Sequence, residues 1–192
     1  MTASQLKEIS SYIDALFSRN VHHVHNRNHL IRVVENARRI SMVVKPKQLE
    51  PFVLEATCLL HDITHQYYKN GLFNYLFERR LARKALTELL PQFKLNASDK
   101  RIIITAIANH PFSIPFRNLH KNGDVYTKIL QDADSLDYFH PERVTAVGKK
   151  LHLPDRVVTI ILRPLSRWAR NHIGWFLNYP KLADLVVYDG DR

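Results

Sequence analysis

Apolar residues recur at helical spacing along nearly the whole chain. Leu6, Ile9, Ile13, Leu16 and Phe17 line one face of a first helix. Leu30, Val33, Val34, Ala37, Ile40 and Val44 line a second, which Asn28 can cap and which ends before Pro46, because proline disfavours helix at the residue preceding it. Pro51 suits the first turn of a third helix carrying Leu54, Ala56, Leu59, Leu60 and Ile63. Asn70-Gly71 reads as a break, and Phe73, Leu76, Phe77, Ala82, Ala85, Leu86 and Leu89 follow on a helix that stops at Pro91. Ser98 or Asp99 can cap a helix bearing Ile102, Ile103, Ala106 and Ile107. Pro111 and Pro115 open a loop to Asn122-Gly123, after which Val125, Ile129, Leu130, Ala133 and Leu136 mark a buried helix. Beyond it, Pro141, Pro154, Pro164 and Pro180 predict shorter helices. Val157 to Leu162 has strand propensity, but a lone strand without partners is not stable.

The pattern predicts an all-α bundle over 1–192 as a single domain, with no internal repeat and no linker long enough to separate domains. The length of 192 residues suits one hydrophobic core, and 45% hydrophobic with 24% charged residues excludes a disordered chain or a fibre. No apolar run approaches the roughly 20 residues that span a bilayer. The amino end lacks the basic-then-apolar order of a secretory signal, and the single cysteine, Cys58, fits a reducing compartment, so a cytoplasmic location is expected. Cys58 reads as core filler. The formal charge of +10 favours anionic partners, among them nucleotides, nucleic acid and acidic membrane surfaces. The excess gathers late: between Lys149 and Lys181 the only acid is Asp155.

Polar residues inside the apolar pattern carry the chemistry. Eleven histidines are many for this length, and His22, His23, His25, His29 and His61 fall at the mouths or ends of predicted core helices. His61-Asp62 closes the third helix, where a buried carboxylate beside an imidazole needs a partner that a metal ion would satisfy. Asp132 and Asp134 interrupt the apolar segment 125–136. Two residues apart on a helix, they point about 200° from each other, so one of them at most aims at a given ion. His110 shares the stripe of Ile103, Ala106 and Ile107 and is expected to point inward.

These elements, in this order, resemble the HD-domain superfamily of metal-dependent phosphohydrolases, whose signature is a histidine, an adjacent His-Asp pair and a later aspartate. The matching segments are His25-Asn26-Arg27-Asn28-His29, Leu59-Leu60-His61-Asp62-Ile63 and Asp132-Ala133-Asp134-Ser135-Leu136, with Ala108-Asn109-His110-Pro111 similar to a helix that brings in another histidine. The resemblance spans about residues 20–140, an HD-type core, and leaves 141–192 as a basic helical extension. It implies one divalent ion (Mn, Fe, Co, Ni, Zn or Mg) held by His29, His61, Asp62 and Asp134. Asp134 is preferred to Asp132 for its Ala-Asp-x-Leu context, and Asp132 is expected to cap or hydrogen-bond nearby. It also implies hydrolysis of a phosphate ester or anhydride of a small molecule, nucleotides favoured, by nucleotide pyrophosphatase, nucleotidase or phosphodiesterase chemistry. Two departures stand out. Asn28 occupies a place that is often acidic, and His65 stands where nucleotidase members carry a glutamate.

Asp62 and His65 are the candidate catalytic residues, His65 serving either as a base near neutral pH or as an exposed helix-end residue. His25, Arg32 and His110 are the candidate substrate contacts; for His25, helix capping is the alternative, and for His110 a core hydrogen bond. Arg79, Arg80, Arg83 and Lys84 fit a solvated helix face better than a phosphate clamp. Trp168 and Trp175, among Arg163, Arg167 and Arg170, read more readily as packed aromatics than as a platform for nucleic-acid bases. The rival reading from another class is a non-catalytic module whose basic carboxyl-terminal third engages nucleic acid, anionic lipid or a protein.

Overall fold

A computed structural model of the chain describes residues 1–19, 24–68, 72–111, 119–120, 123–138 and 140–185, excepting the side chains of 19, 72–76, 184 and 185. Helix α1 (Ala3–Arg19) leads to α2 (Arg27–Val44) and α3 (Pro51–Leu60). After the His61-Asp62 turn come the single turn α4 (Thr64–Tyr67), then α5 (Leu72–Leu89), α6 (Ala97–Asn109) and α7 (Val125–Asp137). Helix α8 (Pro141–Lys150) follows, and then α9 (Asp155–Val157) runs through a π-helical turn at Val158–Leu162 into α10 (Arg163–Asn171). Two 3₁₀ segments, Ile173–Phe176 and Pro180–Leu185, close the described chain. No strand occurs among the described residues, and the fold is all-α as expected. No helix among them is long and apolar enough to cross a membrane.

The ends of the helices follow from local chemistry. Asn26, not Asn28, caps α2: its side chain accepts from the His29 N–H at 3.0 Å and so places His29 in the first turn. Asn96, rather than Ser98 or Asp99, caps α6 by accepting from the Asp99 N–H. In both cases the capping side chain sits one or more residues earlier than hydrophobic spacing alone suggests. Asp124 caps α7 through the Thr127 N–H. Pro51 occupies the first turn of α3, where its missing N–H costs nothing.

One buried cluster runs from Ile9 and Ile13 of α1 through Leu30 and Val33 of α2, Leu54 and Cys58 of α3, Leu86 of α5, Ile103 of α6 and Ile129 of α7 to Ile173, Leu177 and Leu182. Helix α2 lies against both α7 and α3, and α6 also touches α3 and α7. That arrangement brings the start of α2, the end of α3 and the end of α7 to one place. The segment Val157–Leu162 is helical, its π turn packing against α8 at Gly148, where a Cβ would sit 2.5 Å from Val158 Cγ2. Trp168 and Trp175 differ from the packed-aromatic expectation, each remaining more than half exposed. Hydrophobic spacing could not show this, because α10 buries only its Ser166 and Ala169 side.

Candidate metal centre

The capped first turn of α2 presents His29, fully buried, toward the turn that follows α3. His29 Nε2 lies 3.1 Å from His61 Nε2, 3.2 Å from Asp62 Oδ2 and 3.5 Å from Asp134 Oδ1. His61 Nε2 is 3.4 Å from Asp62 Oδ2 and 4.0 Å from Asp134 Oδ1. Ligand atoms about 2.1 Å from a common centre lie ~3.0–3.4 Å apart, so His29, His61 and Asp62 stand at that spacing, with Asp134 slightly wider yet still within reach of a shared ion. His25 and His110 stand at the edges: His25 Nδ1 is 2.7 Å from Asp62 Oδ2, and the His110 ring meets the His61 ring edge-on.

The hydrogens of the imidazoles decide what the pocket can hold. The Cys58 carbonyl, a pure acceptor, lies 2.7 Å from His61 Nδ1, so that nitrogen carries the proton and Nε2 turns a lone pair into the pocket. Asp137 Oδ2 lies 2.6 Å from His29 Nδ1 and accepts its hydrogen, which turns Nε2 toward the pocket. His61 Nε2 turns a lone pair into the pocket and meets His29 Nε2 and oxygens of Asp62 and Asp134 there, a donor set that fits a divalent cation once His29 gives up its proton.

The electrostatics agree. Burial pushes His61 down to about 4, against the neighbouring carboxylates, and keeps it a neutral donor. Burial likewise takes His25 down to about 3 despite Asp62. At His29, burial and Arg143 oppose protonation, but Asp137 and Asp62 prevail and raise the group above its ordinary value: the pocket favours positive charge there. Asp62 and Asp134 are disfavoured as anions by burial, yet the surrounding imidazoles, and Arg143 for Asp134, hold both carboxyls well below the usual range.

Asp132 points elsewhere, as the 200° separation requires. Its Oδ1 accepts from the Asn178 N–H at 2.7 Å and from Asn178 Nδ2 at 2.9 Å, and its Oδ2 from the Tyr179 N–H at 3.0 Å. Burial pushes this carboxyl up to about 6 in spite of those donors. Gln131 accepts from the His120 N–H and from Asn178 Nδ2, and donates to the His110 carbonyl.

His65 lies half-buried on α4, stacked on the His25 ring at 3.8 Å, with Nε2 3.8 Å from both Asp62 Oδ1 and Glu78 Oε1. Beside it, Thr64 Oγ1 and the Gln66 amide are buried without a hydrogen-bond partner among the described residues. His110 Nδ1 donates to the Ile107 carbonyl, and the ring is buried. Arg32 is placed unlike a phosphate contact: Nε donates to Asp137 Oδ1 at 2.5 Å and Nη1 to Glu142 Oε2 at 2.7 Å. Two carboxylates already hold its fork. His22, His23, Asn70-Gly71, Pro115 and Asn122 lie outside the described residues.

Three residues that hydrophobic patterning passed over belong to this neighbourhood. Asp137 follows Asp134 by three positions and so shares its helix face, a spacing that could have revealed it. Arg143, buried on α8, donates to Asp134 Oδ1 at 2.8 Å. Glu78 on α5 is pushed up to about 8 by burial and by the charges of Asp62 and Asp134. Neither Arg143 nor Glu78 carried a sequence signal, since each stands in a run that reads as solvated.

A profile of the HD domain matches residues 26–139, more than half of the chain, and the chain belongs to the HD-domain family. No curated protein matches it. Among solved structures, it is similar to a protein from an uncultured Thermotogales bacterium described as a predicted HD superfamily hydrolase. Identity is 23%, over 88% of this chain and 87% of that one, with a TM-score of 0.55. A Lactobacillus plantarum protein shares 23% identity over 79% of this chain and 66% of its own, with a TM-score of 0.57. Bacillus subtilis YpgQ, solved in complex with ADP, shares 16% identity over 98% of each chain, with a TM-score of 0.55.

Proposed function

We propose that this HD-domain protein is a metal-dependent phosphohydrolase that cleaves a phosphate ester or anhydride of a small molecule, a nucleotide being the first class to test. The observation that carries this reading is the convergence of four atoms of ligand type: His29 Nε2, His61 Nε2, Asp62 Oδ2 and Asp134 Oδ1. His29, His61, Asp62 and Asp134 would hold the ion, whose metal identity the donor chemistry leaves open among Mn, Fe, Co, Ni, Zn and Mg. When bound, a divalent ion supplies Lewis-acid chemistry, acidifying water and offsetting charge on the phosphoryl group.

The chain's own residues do the rest. Asp137 and the Cys58 carbonyl hold the two imidazoles in one tautomer, and Arg143 orients Asp134. His65, next to Asp62 and Glu78, is placed to accept the proton of the attacking water as its oxygen bonds to phosphorus and the P–O bond to the leaving group breaks. His25 and His110, at the rim of the donor cluster, are the candidate phosphate contacts. The likeness to YpgQ, solved with ADP, supports starting with nucleoside phosphates. The chain is read as one unit, an HD core over about 20–140 with a helical extension over 141–192, because Ile173, Leu177 and Leu182 share the core of the earlier helices.

The test is metal analysis of the purified protein, with phosphate and pyrophosphate release from a nucleotide panel in Mn²⁺. Stoichiometric metal and turnover that a chelator abolishes are expected. A metal-free protein, inert on the panel and in other phosphate esters, overturns the reading and favours the non-catalytic module.

A further inference from the structure

The α9–α10 segment presents two exposed stripes, one apolar and one basic. Ile161, Leu165 and Trp168 follow one another at intervals of four and three residues, so they share a helix face, and each is exposed by more than half. Ser166 and Ala169 form the buried side. Exposed Arg163 and Arg167, one turn apart, lie about 100–160° farther round the helix, on its polar face, with exposed Arg156 at the segment's start. The aromatic end is stiffened: the His172 ring stacks on Trp168 at 4.6 Å and meets Trp175 at 5.0 Å, while His172 Nδ1 donates to the Trp168 carbonyl. Aliphatic side chains of this size, exposed in a row, are unfavourable in water.

We infer that this face docks onto an anionic phospholipid surface, with Ile161, Leu165 and Trp168 entering the headgroup boundary and the arginines meeting lipid phosphates. Charge and composition choose this occupant. An apolar face carrying tryptophan, with arginine on the polar face, is the pattern of a helix lying in a membrane interface. A second copy packed face to face would bring two strongly basic segments together, with Asp155 the only acid between residues 149 and 181 to compensate. Nucleic acid matches the arginines but not Ile161 and Leu165, which neither stack on bases nor hydrogen-bond. This inference is independent of the hydrolase reading, since none of these residues touches the donor cluster.

The experiment uses the full chain with Trp175→Phe, which leaves Trp168 as the single tryptophan. Sedimentation with phosphatidylglycerol–phosphatidylcholine vesicles, a blue shift of Trp168 emission and loss of binding at high salt are expected, with little binding to phosphatidylcholine alone. Leu165→Asp should cut binding at least tenfold, and each of Arg163→Gln and Arg167→Gln about fivefold, with phosphate release in solution unchanged. All three positions are exposed, so folding is not at stake, and circular dichroism checks it. The inference is overturned if anionic vesicles do not bind the protein, if neutral vesicles bind it as well, or if Leu165→Asp binds like the parent. It is equally overturned if Leu165→Asp instead dissociates a dimer, or if an oligonucleotide binds where vesicles do not.

Discussion

Asp132 and Asp134 sit on opposite sides of α7, and their surroundings differ in where the hydrogens are. Three N–H groups of Asn178 and Tyr179 point at Asp132, so its lone pairs are occupied and it clasps the carboxyl-terminal segment to α7. Asp134 receives one donor, from Arg143, and otherwise faces the Nε2 atoms of His29 and His61, of which His61 Nε2 is a bare lone pair. A buried carboxylate met by three N–H donors is satisfied as it stands, whereas one with a single donor and a facing lone pair has coordination left for a metal cation. Two identical side chains, two residues apart, thus divide into a fastener and a candidate ligand, and the difference comes from their neighbours.

The largest effect should come from the residue that touches both imidazoles. Asp62→Ala removes the oxygen that lies 3.2 Å from His29 Nε2 and 3.4 Å from His61 Nε2. Metal content by mass spectrometry and phosphate release should both fall to background while the helical circular-dichroism signal persists. A variant that kept its turnover would break the ligand side of the comparison.

Next comes the pair on α7. Asp134→Asn should weaken Mn²⁺ binding by at least about 10–100-fold, the loss usual even for an outer partner of a metal site. Asp132→Asn should leave Mn²⁺ titrations unchanged. Its cost should instead appear in urea denaturation, at about 1–3 kcal/mol, because backbone N–H groups of Asn178 and Tyr179 lose a charged acceptor. The reverse outcome, metal loss at 132 and only instability at 134, would exchange the two roles.

The all-α fold and the course of α1, α2, α3, α5 and α7 were legible because apolar spacing reports buried faces directly. The placement of His29, His61, Asp62 and Asp134 rested on the family resemblance together with polar residues interrupting apolar runs. What stayed hidden depends on tertiary contact. Arg143 lies in an α8 that reads as a solvated basic helix, yet it is buried because α7 supplies carboxylates. Arg32 looked open to phosphate because its i+3 spacing from His29 is visible, while Asp137 and Glu142, more than a hundred residues away, are not. Exposure of Trp168 could not be read either, since spacing defines a face without saying whether anything packs on it.

Arg32 also yields the finest test, because one of its two partners is buried and the other exposed. Asp137 is almost fully buried and holds His29 as well, whereas the Glu142 side chain is 60% exposed. Water and salt screen the second pair, so Glu142→Gln should lower stability by only about 0.5–1 kcal/mol, including the lost interaction with the first turn of α8. That loss should shrink as salt is added, since an exposed pair is screened within a Debye length. Thermal denaturation of both proteins at low and high salt measures it. If Glu142→Gln cost as much as Asp132→Asn, or if its cost did not respond to salt, then burial would not be what separates strong carboxylate contacts from weak ones around α7.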